Sequence, residues 1–188
     1  MASARNQLRV PTIGWTAPCL LALAMLPLSS PGDAADEVPE YGVKAAFLLN
    51  FTKFAEWPPS AFGEARAPIE ICILGKDPFG RVLDDVVQGE IVRDRRLAVR
   101  RITQAPTPQT CQVLFLDPGL KDLLKILRAV PEGVLTVSEG DHFIRDGGMI
   151  AFVIDGRRVR FDINGMAADK AGVKLSSQLL NVARSVAK

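Results

Sequence analysis

Residues 68–87 read PIEICILGKDPFGRVLDDVV, and this stretch contains the pattern that decides the fold. Pro68–Leu74 predicts a β-strand because isoleucine occupies every second position. A Gly-Lys-Asp-Pro turn follows, in which Asp77 and Pro78 are typical of the start of a helix. We expect that helix to run to about Val87. A strand that leads directly into a helix is the repeating unit of α/β domains.

The same kinds of pattern continue to the end of the chain. Five more strands are predicted, at residues 96–102, 111–116, 134–137, 149–154 and 159–163. The 111–116 segment is wholly apolar, which is typical of a central strand, and Asp155-Gly156 is a hairpin turn signal. Helical segments are predicted at 120–130, at 141–145, after a capping Asn164 and at 175–186. The fold class is therefore α/β: a single domain with a mixed, largely parallel sheet flanked by helices and a late β-hairpin.

A further helix is predicted before these elements, from Tyr41 to about Glu56. Phe47, Phe51 and Phe54 fall at positions i, i+4 and i+7, so that one face of the helix is aromatic. Two consecutive prolines then end it. Core packing is the favoured interpretation of this aromatic face, and a ligand-binding surface is the alternative.

Residues 1–35 have the order of regions that is typical of a secretory signal peptide: a basic start, an apolar run at about 13–28 and small residues at the end. The run is interrupted by prolines and is shorter than the roughly 20 residues that a spanning helix needs, which argues against a retained anchor. Lipidation at Cys19 is a weaker alternative. We predict a signal peptide over 1–35 and an exported domain over 36–188, which opens with a polar segment at 36–40.

The charge balance excludes one class of partner. The chain carries 23 Lys and Arg against 21 Asp and Glu, for a net charge of +2. Binding to phosphate backbones needs a clear basic excess, so we expect no nucleic-acid partner. The same balance provides no electrostatic reason to bind a membrane surface.

Export also bears on the cysteines. With Cys19 in the leader, Cys72 and Cys111 remain in the exported domain. An even number of cysteines in an exported chain favours a disulfide, and two separate buried thiols are the alternative. Such a bridge would close a loop of about 40 residues and contribute roughly 3–4 kcal/mol to stability.

The residues that catalysis would need are sparse. His142 is the only histidine, so a hydrolase would have to rely on it alone, and the ligand sets of zinc sites and the phosphate loop of nucleotide-binding proteins are not present. The arginines between residues 93 and 101 are interleaved with Asp94, which favours a solvated face. We expect no catalytic residue, no metal site and no cofactor, and therefore a binding or regulatory protein.

Four segments, in this order, resemble the YfiR-like family of periplasmic proteins. They are YGVKAAFLLNFTKFAEWP (41–58), ICILGKDPFG (71–80), GGMIAFV with VRFDIN (147–153 and 159–164) and LSSQLLNVA (175–183). Together they extend over nearly the whole predicted exported domain.

The resemblance implies a periplasmic repressor. Such a protein binds the periplasmic domain of a membrane-anchored diguanylate cyclase and restrains cyclic-di-GMP synthesis, and with it biofilm formation, under redox control. Cys72 and Cys111 match one disulfide pair of the family, whereas the second pair, near the late hairpin, has no counterpart here. That difference places in doubt any redox switch that depends on the second pair.

The resemblance also marks candidate contact residues and partners. Phe54 and Trp57 lie at the end of the first predicted helix, and Arg158, Arg160 and Asn164 lie around the hairpin. We expect these residues to contact a diguanylate cyclase or a histidine kinase, with a homodimer also possible. A periplasmic small-molecule binding domain, with Arg160 and the aromatic helix lining a pocket, is the alternative; a hydrolase that uses His142 is a weaker one.

Overall fold

The structure, a computed structural model, describes residues 34–187. Within these residues the helices are α1 (Ala34–Phe54), α2 (Arg81–Val87), α3 (Leu123–Ala129), α4 (His142–Arg145), α5 (Gly165–Lys170) and α6 (Ser177–Val182), with a 3-10 turn at Pro59–Ala61. The predicted signal peptide lies outside the described residues except for its last two positions, and it stays a prediction.

Most of the strands belong to one sheet. They are β1 (Ala55–Glu56), β2 (Ile69–Leu74), β3 (Ile91–Val92), β4 (Arg95–Ile102), β5 (Val113–Leu116), β6 (Leu135–Glu139), β7 (Ile150–Asp155), β8 (Arg158–Asn164), β9 (Lys174–Leu175) and β10 (Ser185–Ala187). The eight-stranded sheet has the order β10-β8-β7-β6-β5-β2-β4-β3. Only β3 with β4 and β7 with β8 are antiparallel in it, and β1 forms a separate antiparallel pair with β9. The predicted α/β class with a mixed, largely parallel sheet is confirmed.

The central strands are apolar on both faces because helices cover both faces of the sheet. In β2, Ile69, Ile71 and Ile73 belong to a core cluster that includes residues of α1, α2, α5 and α6. Cys72 and Leu74 point the other way, into a second cluster that packs against α3 and α4. The predicted alternation of β2 is therefore confirmed. Strand β5 is buried throughout and lies between β2 and β6, as its uniformly apolar sequence predicts.

The late hairpin is confirmed, with its turn one residue later than predicted. Strands β7 and β8 pair from Ile150 with Ile163 to Asp155 with Arg158. The two turn residues are therefore Gly156 and Arg157, whose φ angles are 54° and 65°. Two consecutive positive φ angles define a type I′ turn, which matches the twist of paired antiparallel strands.

The predicted helix over residues 175–186 is confirmed only for Ser177–Val182, and the prediction is wrong on either side of it. Lys174–Leu175 pair with β1, α6 is limited to Ser177–Val182, and the last strand runs parallel to β8. The Ser176 hydroxyl accepts a hydrogen bond from the Leu179 amide (3.2 Å) and starts the short helix. Without β10 the long strand β8 would present an unpaired edge. Pairing of the last residues with β8 therefore outweighs the helical spacing of their apolar side chains.

Three helix boundaries also differ from the prediction. The polar segment at 36–40 lies inside α1, which begins at Ala34; acidic residues are favourable in the first turns of a helix. Helix α1 ends at Phe54, because the next two residues pair with β9. Helix α2 begins at Arg81 and not at Pro78. The Asp77 carboxylate instead accepts two backbone N–H groups of the turn, at 2.8 and 3.2 Å.

Cys72 and Cys111 are joined by a disulfide, and their Cα atoms are 5.9 Å apart. Cys72 lies in β2, and Cys111 lies two residues before β5, the neighbouring parallel strand. The exposed fractions of the two residues are 0% and 1%. The predicted pairing is therefore present, inside the second core cluster.

Gly148, just before β7, packs closely against Phe143 of α4, and this contact leads to a prediction about stability. A Cβ atom at Gly148 would lie 2.2 Å from Cε1 of Phe143, whose side chain is fully buried. We expect Gly148→Ala to lower the free energy of unfolding by about 1–3 kcal/mol, since the aromatic ring must move within a filled core. Urea-induced unfolding followed by circular dichroism measures the change.

Gly42 provides the matched control for that substitution. It lies within α1, and a Cβ atom there would meet nothing within 4 Å. Gly42→Ala should therefore stabilise the protein by up to about 1 kcal/mol, because alanine favours the helical backbone. If both variants had the same stability as the wild type, the packing argument for Gly148 would be wrong.

Candidate partner-binding surface

The first two predicted contact residues lie at the end of α1. Phe54 is half-buried and packs against the first core cluster, and its backbone carbonyl accepts a hydrogen bond from the Ser176 amide (2.9 Å). Trp57 is also half-buried, and its indole N–H donates to the Gln112 carbonyl at 3.1 Å. Both side chains thus help to hold this end of the fold together. Their role in partner binding stays a prediction.

The other three predicted residues lie on or after β8. Arg158 is exposed at the start of the strand, and Arg160 is half-buried two residues later. Asn164 caps α5: its side-chain oxygen accepts a hydrogen bond from the Ala167 amide (3.0 Å), and its NH₂ group donates to the Ile144 carbonyl (3.3 Å). The Asn164 side chain therefore already serves within the fold, whereas the side chains of the two arginines make no hydrogen bond or ion pair with other described residues.

The aromatic face of α1 is mainly a core-packing surface, as predicted. Phe51 is fully buried, and Phe47 is half-buried. The Phe47 ring lies 5.2 Å from the Phe161 ring and 6.1 Å from the Phe152 ring, measured between centroids. Helix α1 thus rests on the base of the β7–β8 hairpin.

An open cleft lies where the hairpin extends past this aromatic contact, and we name it the α1–hairpin groove. Its volume is about 570 Å³. Its apolar lining consists of Val43, Phe47, Ile154 and Val159, and its charged lining consists of Glu40, Arg157 and Arg158. Of the five predicted contact residues, only Arg158 lines it.

The structure does not bring the five predicted residues together. Phe54 follows Phe47 by seven residues, which corresponds to about 10 Å along a helix, and it lies at the opposite end of α1 from Glu40. Arg160 pairs with Val153, and strand alternation places it on the other face of β8 from Val159. The alternative pocket predicted from Arg160 and the aromatic helix is therefore not the cleft beside Phe47.

Sequence analysis missed three of the groove residues. Val43 and Ile154 are large apolar residues with exposed fractions of 45% and 54%, and Arg157 occupies the second position of the hairpin turn. Ile154 was assigned only to an apolar strand. Ile154 and Val159 form the next pair on the face of the hairpin that carries the buried Phe152 and Phe161. The length of the predicted hairpin could therefore have indicated that Ile154 extends past the core.

A second cleft, of about 320 Å³, adjoins the groove and shares Glu40 and Ile154 with it. Its floor contains Lys44, whose side chain is only 2% exposed and whose ammonium group lies 2.9 Å from the Glu139 carboxylate. Glu40, one helical turn before Lys44, completes the ion pair. Sequence analysis missed this lysine, although it occurs four residues before Leu48 on the buried face of α1.

Arg184 forms the other charged contact of this second cleft. Its guanidinium group binds both carboxylate oxygens of Asp162, and it reaches Asp141 at 3.0 Å. These hydrogen bonds, that of Asp162 first, raise the pKa of Arg184 above its ordinary value. The charges in this cleft are therefore largely neutralised by one another.

Of the arginines at residues 93–101, all except the half-buried Arg95 are exposed, as predicted. Most of them also bind other residues of the described chain through their guanidinium groups, namely Arg93, Arg95, Arg100 and Arg101. Arg101 bridges Asp77 and Asp84 at 2.9 and 2.6 Å. Its hydrogen bond is the main cause that lowers the pKa of Asp84. Arg101 thus holds α2 and its preceding turn against β4.

No cluster of metal-ligating side chains is found within residues 34–187, and none of the helices described there is long and apolar enough to cross a membrane. His142 is exposed at the start of α4.

The sequence of the chain has a counterpart among known families. The sequence profile described as YfiR/HmsC-like matches residues 41–184. The chain belongs to the YfiR/HmsC-like family. The match starts at Tyr41 in α1 and ends at Arg184, just before β10, so it includes the disulfide, most of the sheet and the groove lining other than Glu40. None of the curated proteins compared with the chain matches it.

Membership of this family indicates a regulatory role in the periplasm. The YfiR/HmsC-like family is regulatory and non-catalytic, and the family suggests a regulator of diguanylate cyclase signalling. The disulfide between Cys72 and Cys111 is consistent with an oxidising compartment such as the periplasm.

Proposed function

We propose that this protein is a periplasmic, non-enzymatic regulator that binds and represses the periplasmic domain of an inner-membrane diguanylate cyclase. The family match over residues 41–184 is the observation that supports the proposal. The predicted signal peptide over residues 1–35 would deliver the domain to the compartment in which such a partner is accessible. Repression there would limit cyclic-di-GMP synthesis in the cytoplasm and, through it, biofilm formation.

The proposed contact residues divide into two groups. Arg158 is the predicted residue that is free to meet a partner at the groove, and Arg160 offers a second cation on the other face of the hairpin. Phe54, Trp57 and Asn164 are proposed as contacts only through the parts of their side chains that the fold leaves exposed, since each also packs or hydrogen-bonds internally.

Deleting the gene tests this function. We expect cyclic-di-GMP, measured by mass spectrometry of cell extracts, to rise severalfold in the deletion strain, because an active cyclase loses its repressor. Biofilm mass should rise in parallel. The full chain supplied from a plasmid should restore the wild-type level.

A chain without residues 1–35 is the control for compartment, and it should accumulate in the cytoplasm and fail to restore repression. Unchanged cyclic-di-GMP in the deletion strain would contradict the cyclase proposal. A changed output of a two-component system in that strain, with constant cyclic-di-GMP, would instead favour a histidine kinase as the partner.

A further inference from the structure

The α1–hairpin groove has an apolar floor that the described residues leave exposed. On the hairpin, the pair Phe152 and Phe161 is 1% exposed beneath the rings of α1. The next pair, Ile154 and Val159, extends beyond that contact, and Ile154 is 54% exposed. Val43 on α1 faces the same cleft and is 45% exposed. Two large apolar residues from separate elements thus converge at one open site, which favours a binding surface over scattered exposure.

The charge of the groove is concentrated at its turn end. Arg157 and Arg158 line the groove there, and their guanidinium groups make no hydrogen bond or ion pair with any residue of the described chain. This contrasts with Arg101 and Arg184, each of which binds two carboxylates. Two uncompensated guanidinium groups at the rim attract carboxylates, with which arginine forms strong bidentate hydrogen bonds.

Glu40 is the acidic residue among the described residues of the lining. It already binds the buried ammonium group of Lys44, which Glu139 binds as well. A partner therefore meets an apolar centre and two arginines whose charges no described residue neutralises. Charge complementarity then selects an acidic partner, and the apolar centre provides the area on which its side chain can be buried.

We propose that the groove binds a segment of the partner that inserts an apolar side chain between Val43 and Ile154 and presents carboxylates to Arg157 and Arg158. The inference rests on the proposed function in one respect: it takes the segment to belong to the periplasmic domain of the regulated membrane protein. A second copy of this chain is the competing occupant, and the experiment distinguishes the two.

Site-specific photo-crosslinking in cells tests the groove directly. A benzophenone amino acid replaces Ile154 in the full chain, which is exported by the native cell. Replacement of Leu124 on α3, which is 48% exposed, is the matched control. We expect an adduct with a membrane protein from position 154 and none from position 124, with the captured protein identified by mass spectrometry.

Charge variants then test the chemistry of the partner. In the position-154 background, Arg157→Glu with Arg158→Glu should reduce the adduct at least about tenfold, because like charges would face each other at the rim. Replacing both arginines with lysine should retain most of it. The control pair Arg128→Glu and Arg145→Glu changes two exposed arginines of α3 and α4, which also lack partners in the described chain, and should have no effect.

The outcomes separate the groove from the proposed function. An adduct between two copies of this chain, no adduct, or an adduct that survives the glutamate pair would overturn the groove proposal. If the deletion strain still showed raised cyclic-di-GMP in those cases, the regulatory function would stand. A charge-dependent adduct with a protein other than a cyclase, together with constant cyclic-di-GMP, would support the groove and contradict the function.

Discussion

Replacing both Cys72 and Cys111 with alanine is expected to lower the free energy of unfolding by roughly 4 kcal/mol. The bridge joins residues 39 apart in sequence, and a cross-link over a loop of that size removes about this much conformational free energy from the unfolded chain. Domains of this size are commonly stable by only about 5–15 kcal/mol, so the double variant would be close to its folding limit. Urea unfolding of the exported protein under non-reducing conditions measures the difference.

The reductant provides the control for that measurement. The double alanine variant should unfold at the same urea concentration with and without dithiothreitol, whereas the wild type should lose stability once it has been unfolded and refolded in dithiothreitol. Mass measurement after alkylation of the denatured, unreduced wild type reports the number of free thiols. A difference below about 0.5 kcal/mol between wild type and double variant, or two alkylated thiols, would disprove the stabilising bridge.

Burial also determines how this bridge can respond to redox conditions. Both cysteines are at most 1% exposed. A reductant therefore reaches the sulfur atoms only when the region between β2 and β5 opens. The region of the late hairpin contains no second pair that could respond first. In this member of the family, redox control would therefore act through loss of stability and not through a surface switch.

The sequence allowed a reliable prediction of elements whose side chains alternate or are uniformly apolar. The alternation in β2 and the apolar run of β5 follow from a sheet that is packed on both faces. Both strands could therefore be predicted with nearly correct bounds. The C-terminal segment was different. Leu175, Leu179, Val182 and Val186 have helical spacing, but whether a strand edge is available to pair with them depends on where β8 lies, and local periodicity contains no information about that.

The groove could not be predicted for a similar reason. Its exposed apolar residues, Val43 and Ile154, come from elements more than a hundred positions apart in sequence. The predicted turn at Asp155-Gly156 stops one residue short of Arg157, which lies in the turn itself. Arg158 was predicted because the family pattern marks it, whereas the position of α1 on the hairpin emerges only from tertiary packing.

Lys44→Met is expected to lower the free energy of unfolding by about 2–4 kcal/mol. The wild-type side chain is 2% exposed, and its ammonium group lies 2.9 Å from Oε2 of Glu139. Oε1 of the same carboxylate is buried and has no hydrogen-bond partner in the described chain. Removing one member of a buried ion pair leaves the other charge uncompensated, which costs more than the loss of a surface pair. The expected effect is moderate because Glu139 keeps 21% exposure. Chemical denaturation measures it.

A double variant separates charge from packing in this prediction. Methionine approximates the apolar stem of lysine, so the packing of that stem should change little. The contact of the ammonium group with the Tyr41 ring is lost in the single and the double variant alike. If the uncompensated carboxylate causes the loss, adding Glu139→Gln to Lys44→Met should recover about half of it or more, because a neutral amide replaces the buried charge. Lys53→Met is the matched control, since the Lys53–Glu90 pair is 39% and 37% exposed and should contribute less than about 1 kcal/mol. Equal losses for the two lysine variants, or no recovery in the double variant, would show that packing and not charge explains the role of Lys44.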